Sequence, residues 1–355
     1  MTGSTRRALS LAIVGNAGGT NVGESLRRAA ISVGHTVSFF DVAGAMRGNR
    51  LLRMLSWRFA DRRPLRFNKV AREIVARCKT TRPDFLIATG AAPLAERDLL
   101  ALRSLDVICI NYSTDDPWNP TQRSRWHLRA LPAYNAVFTP RRANLNDIQL
   151  LGCSNVYYLP FGYDDALFAP LDSVTNVPAC DVLFVGGADR DRLAFITAFM
   201  KAGTPVTLIG DYWDRFSATR PYALGHKPPE TLRDWTAAAK VNLCLVRRAN
   251  RDGHVMRSFE IAAVGGCMLA EDTDEHREIF GPDGAAVLYF RTPEEAGARA
   301  RVLVANPKER ARLSASIRTR IVAGRHTYRE RLASMLEATA ELRAEGKFGA
   351  KGIWK

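Results

Sequence analysis

Cysteines are few and scattered: Cys78, Cys109, Cys153, Cys180, Cys244 and Cys267, with no Cys-x-x-Cys pair and no paired histidine nearby. That spacing speaks against a zinc cluster or a disulfide frame. Cys109 and Cys244 lie inside apolar runs, where a cysteine acts as a small buried hydrophobe, and this usage fits the reducing cytoplasm. Long apolar runs are missing too. The stretch Ala8 to Val14 behind Arg6-Arg7 is too short for a secretion signal and breaks at Gly15-Asn-Ala-Gly-Gly19. Nothing approaches membrane-spanning length, so any membrane contact is expected to be peripheral, at an anionic surface.

Acidic residues are in deficit, 36 against 51 Lys plus Arg, which leaves a net charge of +15. A chain this basic attracts polyanions, anionic membranes or phosphorylated ligands over a distance set by salt. The bases are spread through Arg47–Arg82, Arg123–Arg142, Arg247–Arg257 and Arg299–Arg329, however, without zinc-finger spacing, a helix-turn-helix signature or an aromatic RNA-binding motif. Nucleic acid is therefore not the expected partner. An arginine-rich composition is also what a GC-rich genome yields.

What is present reads as a two-domain α/β protein. A length of 355 residues exceeds the usual single core, while 46% hydrophobic and 25% charged residues suit a globular enzyme. Leu9 to Val14 reads as a buried strand, Gly15 to Gly19 as a glycine turn, Gly23 to Val33 as a helix and Thr36 to Val42 as a second strand. Gly15, Gly18 and Gly19 permit close backbone approach to a ligand. The order Gly-x-Gly-x-x-Gly is absent, which argues against conventional NAD binding.

Arg47 to Arg82 is basic and largely helical, and the aromatics of Trp57 to Phe67 could make a partner or acceptor face, with core packing the preferred reading. Strands follow at Asp84–Ala88, Val107–Asn111 and Ala136–Thr139. The loop Tyr112-Ser-Thr-Asp-Asp-Pro-Trp118 leaves one of them, so Asp115 and Asp116 are candidates to orient or deprotonate an acceptor hydroxyl. Asp-Asp-Pro is equally strong turn chemistry. His127 is the alternative base.

Val156 to Phe161 reads as the last strand of the first domain, and 162–178 as a linker marked by Pro170 and Pro178. Domains are accordingly expected over 1–170 and 171–328, with a final helix and tail over 329–355. The second domain restarts the pattern with Asp181–Val185, then Gly186-Gly187-Ala-Asp189-Arg-Asp-Arg192 and a helix. Gly186 and Gly187 would let amides reach a phosphate, with Arg190 or Arg192 supplying charge; a solvated helix start is the alternative.

The densest chemistry is in Asp252-Gly-His-Val-Met-Arg-Ser-Phe-Glu260, which leads into Ile261–Gly266. A helix starting near Val255 and ended by Gly265-Gly266 would present unpaired amides at its positive end, suited to a diphosphate, with His254 and Arg257 alongside. Asp252 and Glu260 are candidates to accept hydrogen bonds from sugar hydroxyls. The alternative has Asp252 capping the helix and Glu260 paired with Arg257.

The segment Met256 to Phe290, with Arg-x-Phe-Glu-Ile-Ala-Ala-Val-Gly-Gly, Glu278-Ile-Phe-Gly-Pro-Asp-Gly and Tyr289-Phe-Arg-Thr-Pro-Glu-Glu295, resembles CgeB-like (spore-maturation type) glycosyltransferases. Asp181–Arg192 and Thr114-Asp-Asp-Pro117 add to the likeness. These proteins belong with the glycosyl transferases group 1 of GT-B fold. The resemblance implies two Rossmann-like domains with parallel sheets facing a cleft, a final helix from Tyr328 that packs back on the first domain, and transfer from a UDP-, GDP- or dTDP-linked sugar without a metal or other cofactor, with retention.

It further implies that Asp252 faces the donor sugar, Glu260 the ribose, and backbone near His226 the base. The group's usual pattern is two glutamates; here the first is Asp252, one methylene shorter. The acceptor, a glycan, a lipid-linked or a small molecule, is not legible. No Asp-x-Asp metal site is evident. Two other classes remain: a non-catalytic sugar-nucleotide or polyanion sensor, and a nucleic-acid-binding protein.

Overall fold

The computed structural model describes residues 7–170 and 177–344. The chain forms two compact units, one of Met1–Pro160, Ala249–Arg251 and Tyr328–Lys355, the other of Phe161–Arg248 and Asp252–Thr327.

The first unit runs β1 (Ser10–Gly15), α1 (Val22–Ser32), β2 (Thr36–Asp41), α2 (Arg50–Phe59), α3 (Phe67–Thr81), β3 (Phe85–Thr89), α4 (Glu96–Arg103), β4 (Ile108–Tyr112), α5 (Arg125–Ala130), β5 (Ala136–Thr139), α6 (Leu145–Leu150) and β6 (Val156–Tyr158). Its six strands lie in the order β2-β1-β3-β4-β5-β6, all parallel. Buried on both faces, the central strands read as near-continuous apolar runs such as Leu11–Val14 and Phe85–Ala88. Gly15 and Gly23 let β1 and α1 touch: a Cβ on Gly23 would lie 3.0 Å from the Gly15 Cα.

The second unit runs β7 (Cys180–Val185), α7 (Arg190–Lys201), β8 (Thr207–Ile209), α8 (Pro229–Ala238), β9 (Ala239–Cys244), α9 (Met256–Val264), β10 (Met268–Glu271), α10 (Asp274–Phe280), β11 (Leu288–Phe290), α11 (Pro293–Ala305) and α12 (Pro307–Ala323). Its five strands are parallel in the order β11-β10-β9-β7-β8. The order reverses between β7 and β9, the place where open α/β sheets bind ligands beyond their carboxyl ends. Val182, Phe184, Ile196, Phe199, Trp213 and Leu243 lead its core. A last helix, α13 (Tyr328–Ala344), belongs to the first unit and packs on α1.

The two-domain α/β expectation holds, and three details are corrected. The boundary falls at Pro160, not at 170, because Phe161, Tyr163 and Phe168 are buried in the second unit. There the Phe161 amide donates to His254 Nε2 (3.1 Å) and the Tyr163 amide to the His326 carbonyl (3.0 Å). Ala249–Arg251 belongs to the first unit, where Arg251 is held by carboxylates. Of the aromatics expected in the core, Phe67 is buried, whereas Trp57 and Phe59 are exposed. The tail beyond 344, with Trp354, lies outside the described residues.

Candidate functional site

The Gly186–Arg192 and Asp252–Glu260 stretches follow β7 and β9, so both leave the sheet at its switch point. In the turn after β7, the Gly186 amide donates to the Ile209 carbonyl (2.8 Å) and the Ala188 amide to Asp211 (2.9 Å). The Gly186 carbonyl accepts from Trp213 Nε1 (2.7 Å). These bonds fix the turn and occupy the amide of Gly186, one of the two glycines expected to admit a phosphate.

Asp189 caps α7 by accepting from the Arg192 amide (2.9 Å). Arg192 lies inward over the Phe184 ring and donates to the Gly187 carbonyl (3.3 Å), and its buried Nε has no hydrogen-bond partner. Burial pushes its pKa down. Arg190 is exposed at the first turn of α7.

The start of α9 is set by a buried polar network. Ser258 Oγ receives the Val255 amide (3.3 Å) and contacts His276 Nε2 (2.8 Å). His276 Nδ1 bonds the Glu271 carbonyl (2.8 Å), which places its proton on Nδ1. Thr273 donates to the Gly253 carbonyl (2.5 Å) and caps α10 through the His276 amide (3.0 Å). Gly253 leaves no room for a side chain, since a Cβ would lie 2.5 Å from Glu275 Cδ.

His254, expected beside the donor, is instead fully engaged within this network. Its Nε2 accepts from the Phe161 amide, so Nδ1 carries the proton and donates to Glu275 Oε2 at 2.6 Å. Asp252 does not occupy the cap position of α9, which falls at Val255; it is buried, within electrostatic reach of Arg192.

Glu260 is buried on α9, with Oε2 only 2.6 Å from Arg257 Nη1, yet neither atom has an aligned hydrogen bond. Burial raises the Glu260 pKa; Arg257 opposes the shift and Asp164 adds to it. Arg257 thus serves the expected pairing with Glu260 while its guanidinium lies over Phe168 (5.9 Å). Asp164 and Phe168 went unnoticed in the sequence because the prolines made this segment look like a linker; the recurring Phe161, Tyr163 and Phe168 were the signal for packing. His226 is exposed ahead of α8.

A cavity of about 380 Å³ opens at the ends of β9, β10 and β11, lined by Arg192, Leu245, Arg248, Glu271, Arg291 and Pro293 among others. Of the residues expected to bind a donor, it takes in Arg192 alone.

The first unit holds the remaining candidates. Asp116 is buried and bound on both oxygens by Arg251 (2.6 and 3.0 Å), and its Oδ1 also accepts the Trp118 amide (2.9 Å). The turn alternative describes it: these lone pairs are taken by a fixed guanidinium and a backbone N–H. Asp115 is partly exposed and accepts from Asn250 Nδ2 (3.3 Å). His127 is buried, and burial drives it down to about 4.

Gly18 and Gly19 are exposed with left-handed backbone (φ 72° and 56°). The Gly18 amide bonds the Glu24 carboxylate. Burial works against that anion, but Arg27, Gly18 and Arg28 hold its pKa below the ordinary range. Among the described residues no group of three or more His, Cys, Asp or Glu side chains is arranged to hold a metal ion, and no helix is long and apolar enough to cross a membrane.

Residues 190–337 match a family described as glycosyl transferase-like. No curated protein matches the chain in sequence. Among solved structures, the chain is similar to sucrose-phosphate synthase from Thermosynechococcus elongatus, at 15% identity and a TM-score of 0.68 over 96% of this chain and 100% of that one. The Anabaena protein HepE in complex with UDP and glucose is similar at 12% identity and 0.59, over 94% and 99%. So is a putative UDP-N-acetylglucosamine 2-epimerase from Listeria monocytogenes, at 11% and 0.57, over 96% and 97%. The fold is GT-B, and the second unit carries most of a glycosyl transferase-like sequence.

Proposed function

We propose that the protein is a CgeB-like glycosyltransferase that moves a sugar from a UDP-, GDP- or dTDP-linked donor to a hydroxyl of a glycan, a lipid-linked or a small-molecule acceptor. One observation carries this reading. The glycine turn with Arg190 and Arg192, and the acidic pair Asp252 and Glu260, come from distant sequence to the β7–β9 switch point. The glycosyl transferase-like match over residues 190–337 spans both arginines and both acids.

On this reading the diphosphate lies against the Gly187 amide, the first amides of α9 and the Arg190 and Arg192 guanidinium groups. Negative charge develops there as the glycosidic bond breaks, and donors fixed beforehand stabilise it without reorganising. Glu260, whose Oε2 lacks an aligned partner inside the protein, is suited to a ribose hydroxyl; Asp252 reads the sugar. The scheme places no metal in the step and proceeds with retention. An inverting route would require a base, and Asp115 is the acid of its loop not closed by a guanidinium.

Thermal-shift titration with UDP, GDP, dTDP and their sugars tests the donor site. Stabilisation by one nucleotide family is expected, and Glu260→Gln or Asp252→Asn should weaken binding roughly 10- to 100-fold, the loss expected for a hydrogen bond to a charged group. Product analysis separates the classes. Sugar appearing on an added acceptor supports transfer, whereas conversion of the donor to its C2 epimer, or no stabilisation by any nucleotide, rejects it. Asp115→Asn leaving most turnover intact fits retention.

A further inference from the structure

The helix α2 is a separate feature of the first unit. None of its residues is buried, and Leu51, Leu52, Leu55 and Phe59 are 67%, 54%, 52% and 79% exposed. At positions i, i+1, i+4 and i+8 these side chains share one face of the helix. Isolated helices of this length are marginal in water, since most helical stability comes from packing an apolar face. Here the helix is started by Asn49, whose side chain accepts from the Leu51 amide (2.8 Å), and the described residues bury none of its side chains.

The charges around that face are all of one sign. From Arg47 to Ala60 there is no acidic residue, and among the described residues Arg47, Arg50, Arg53 and Arg58 have no ion-pair partner. The far end of the helix is tied down. Asp61 and Arg62 turn the chain with left-handed backbone; Arg62 donates to the Pro120 and Arg123 carbonyls, and Asp61 accepts from the Trp126 amide.

We infer that α2 is a membrane-surface helix: it lies in the interface of an anionic bilayer, with Leu51, Leu52, Leu55 and Phe59 among the acyl chains. Arg47, Arg50, Arg53 and Arg58 then reach the lipid phosphates. Exposed aliphatic side chains interleaved with unpaired arginines match the two halves of a lipid headgroup boundary, apolar below and anionic above. Nucleic acid would satisfy the arginines and leave the leucines in water. A second copy of the chain would satisfy the leucines but, in a two-fold pairing, would set arginine against arginine.

Co-sedimentation of the full chain with vesicles of phosphatidylcholine, with and without phosphatidylglycerol, tests this. Binding is expected only with the anionic lipid, weakening as salt is added. Leu55→Ser with Phe59→Ser keeps every charge and should lower vesicle affinity at least about tenfold, because two apolar groups no longer leave water. Arg50→Gln with Arg53→Gln should lower it about fivefold per arginine. Circular dichroism should show all variants folded, as expected for exposed positions. Full binding by the Leu55/Phe59 variant, no vesicle binding by the parent chain, or a dimer that this variant dissociates in light scattering would each overturn the assignment, whatever the fate of the donor site.

Discussion

His127 and His276 are imidazoles that the fold keeps neutral. Burial drives both down to about 4 from an ordinary value of 6.5. For His276 the Glu271 carbonyl opposes that shift and the neighbouring His254 adds to it. Between pH 6.5 and 4 the unfolded chain binds protons that the folded chain refuses, so this stability is complete above pH 6.5 and is lost as pH falls toward 4. Each histidine contributes up to roughly 3 kcal/mol. Urea midpoints followed across that window should fall with acidification, and His127→Gln should flatten the descent. A flat profile in the parent chain would contradict neutral burial. At this scale the sequence showed which residues carry charge near the glycine turns but not how they are used. Asp116 and Asp115 adjoin in sequence, yet only Asp116 is closed by Arg251, a residue brought from beyond β9.

Elements were more legible than the side chains they carry. Most strands and long helices stand within a few residues of where apolar periodicity put them, because a buried strand needs a continuous apolar run and an amphipathic helix a repeating stripe. β9 stands at Ala239–Cys244, two residues ahead of the apolar run Val241–Val246, because α8 passes into it at Ala238–Ala239 with no glycine or proline to mark the change. For α13 the pattern gave the helix and the resemblance its return to the first domain; the structure gives the element it packs on, α1, with Leu332, Met335 and Leu342 buried. Met335→Ala should therefore cost about 2–5 kcal/mol in chemical denaturation. A loss within experimental error would mean that this helix contributes little to the first unit. Around α2 the same limit shows: of the aromatics from Trp57 to Phe67, Phe67 is buried while Trp57 and Phe59 are exposed, since a sequence says that a side chain is apolar and not what covers it.

Across the whole molecule, the +15 charge and the groups of the second unit proposed to hold a donor are expected to respond differently to salt. Contacts of exposed arginines with a polyanion are screened steeply, whereas a nucleotide sugar held, as proposed, by Arg192, Asp252 and Glu260 would be shielded from ions. Raising salt should abolish any association with nucleic acid while shifting nucleotide-sugar affinity only several-fold. Parallel collapse of both would assign the binding to surface charge. The sequence alone determined the α/β class, the paired repeats of strand, glycine turn and helix, and the residues of the acidic corner, because these rest on local periodicity and on chemistry carried within one segment. Tertiary structure alone decided that Gly186 and Asp252 meet at one switch point, that His254 is spent on the Phe161 amide and Glu275, and that Phe161–Phe168 packs with the second unit. Each of these depends on which strands become neighbours and which hydrogen bonds burial makes obligatory, and spacing along the chain encodes neither.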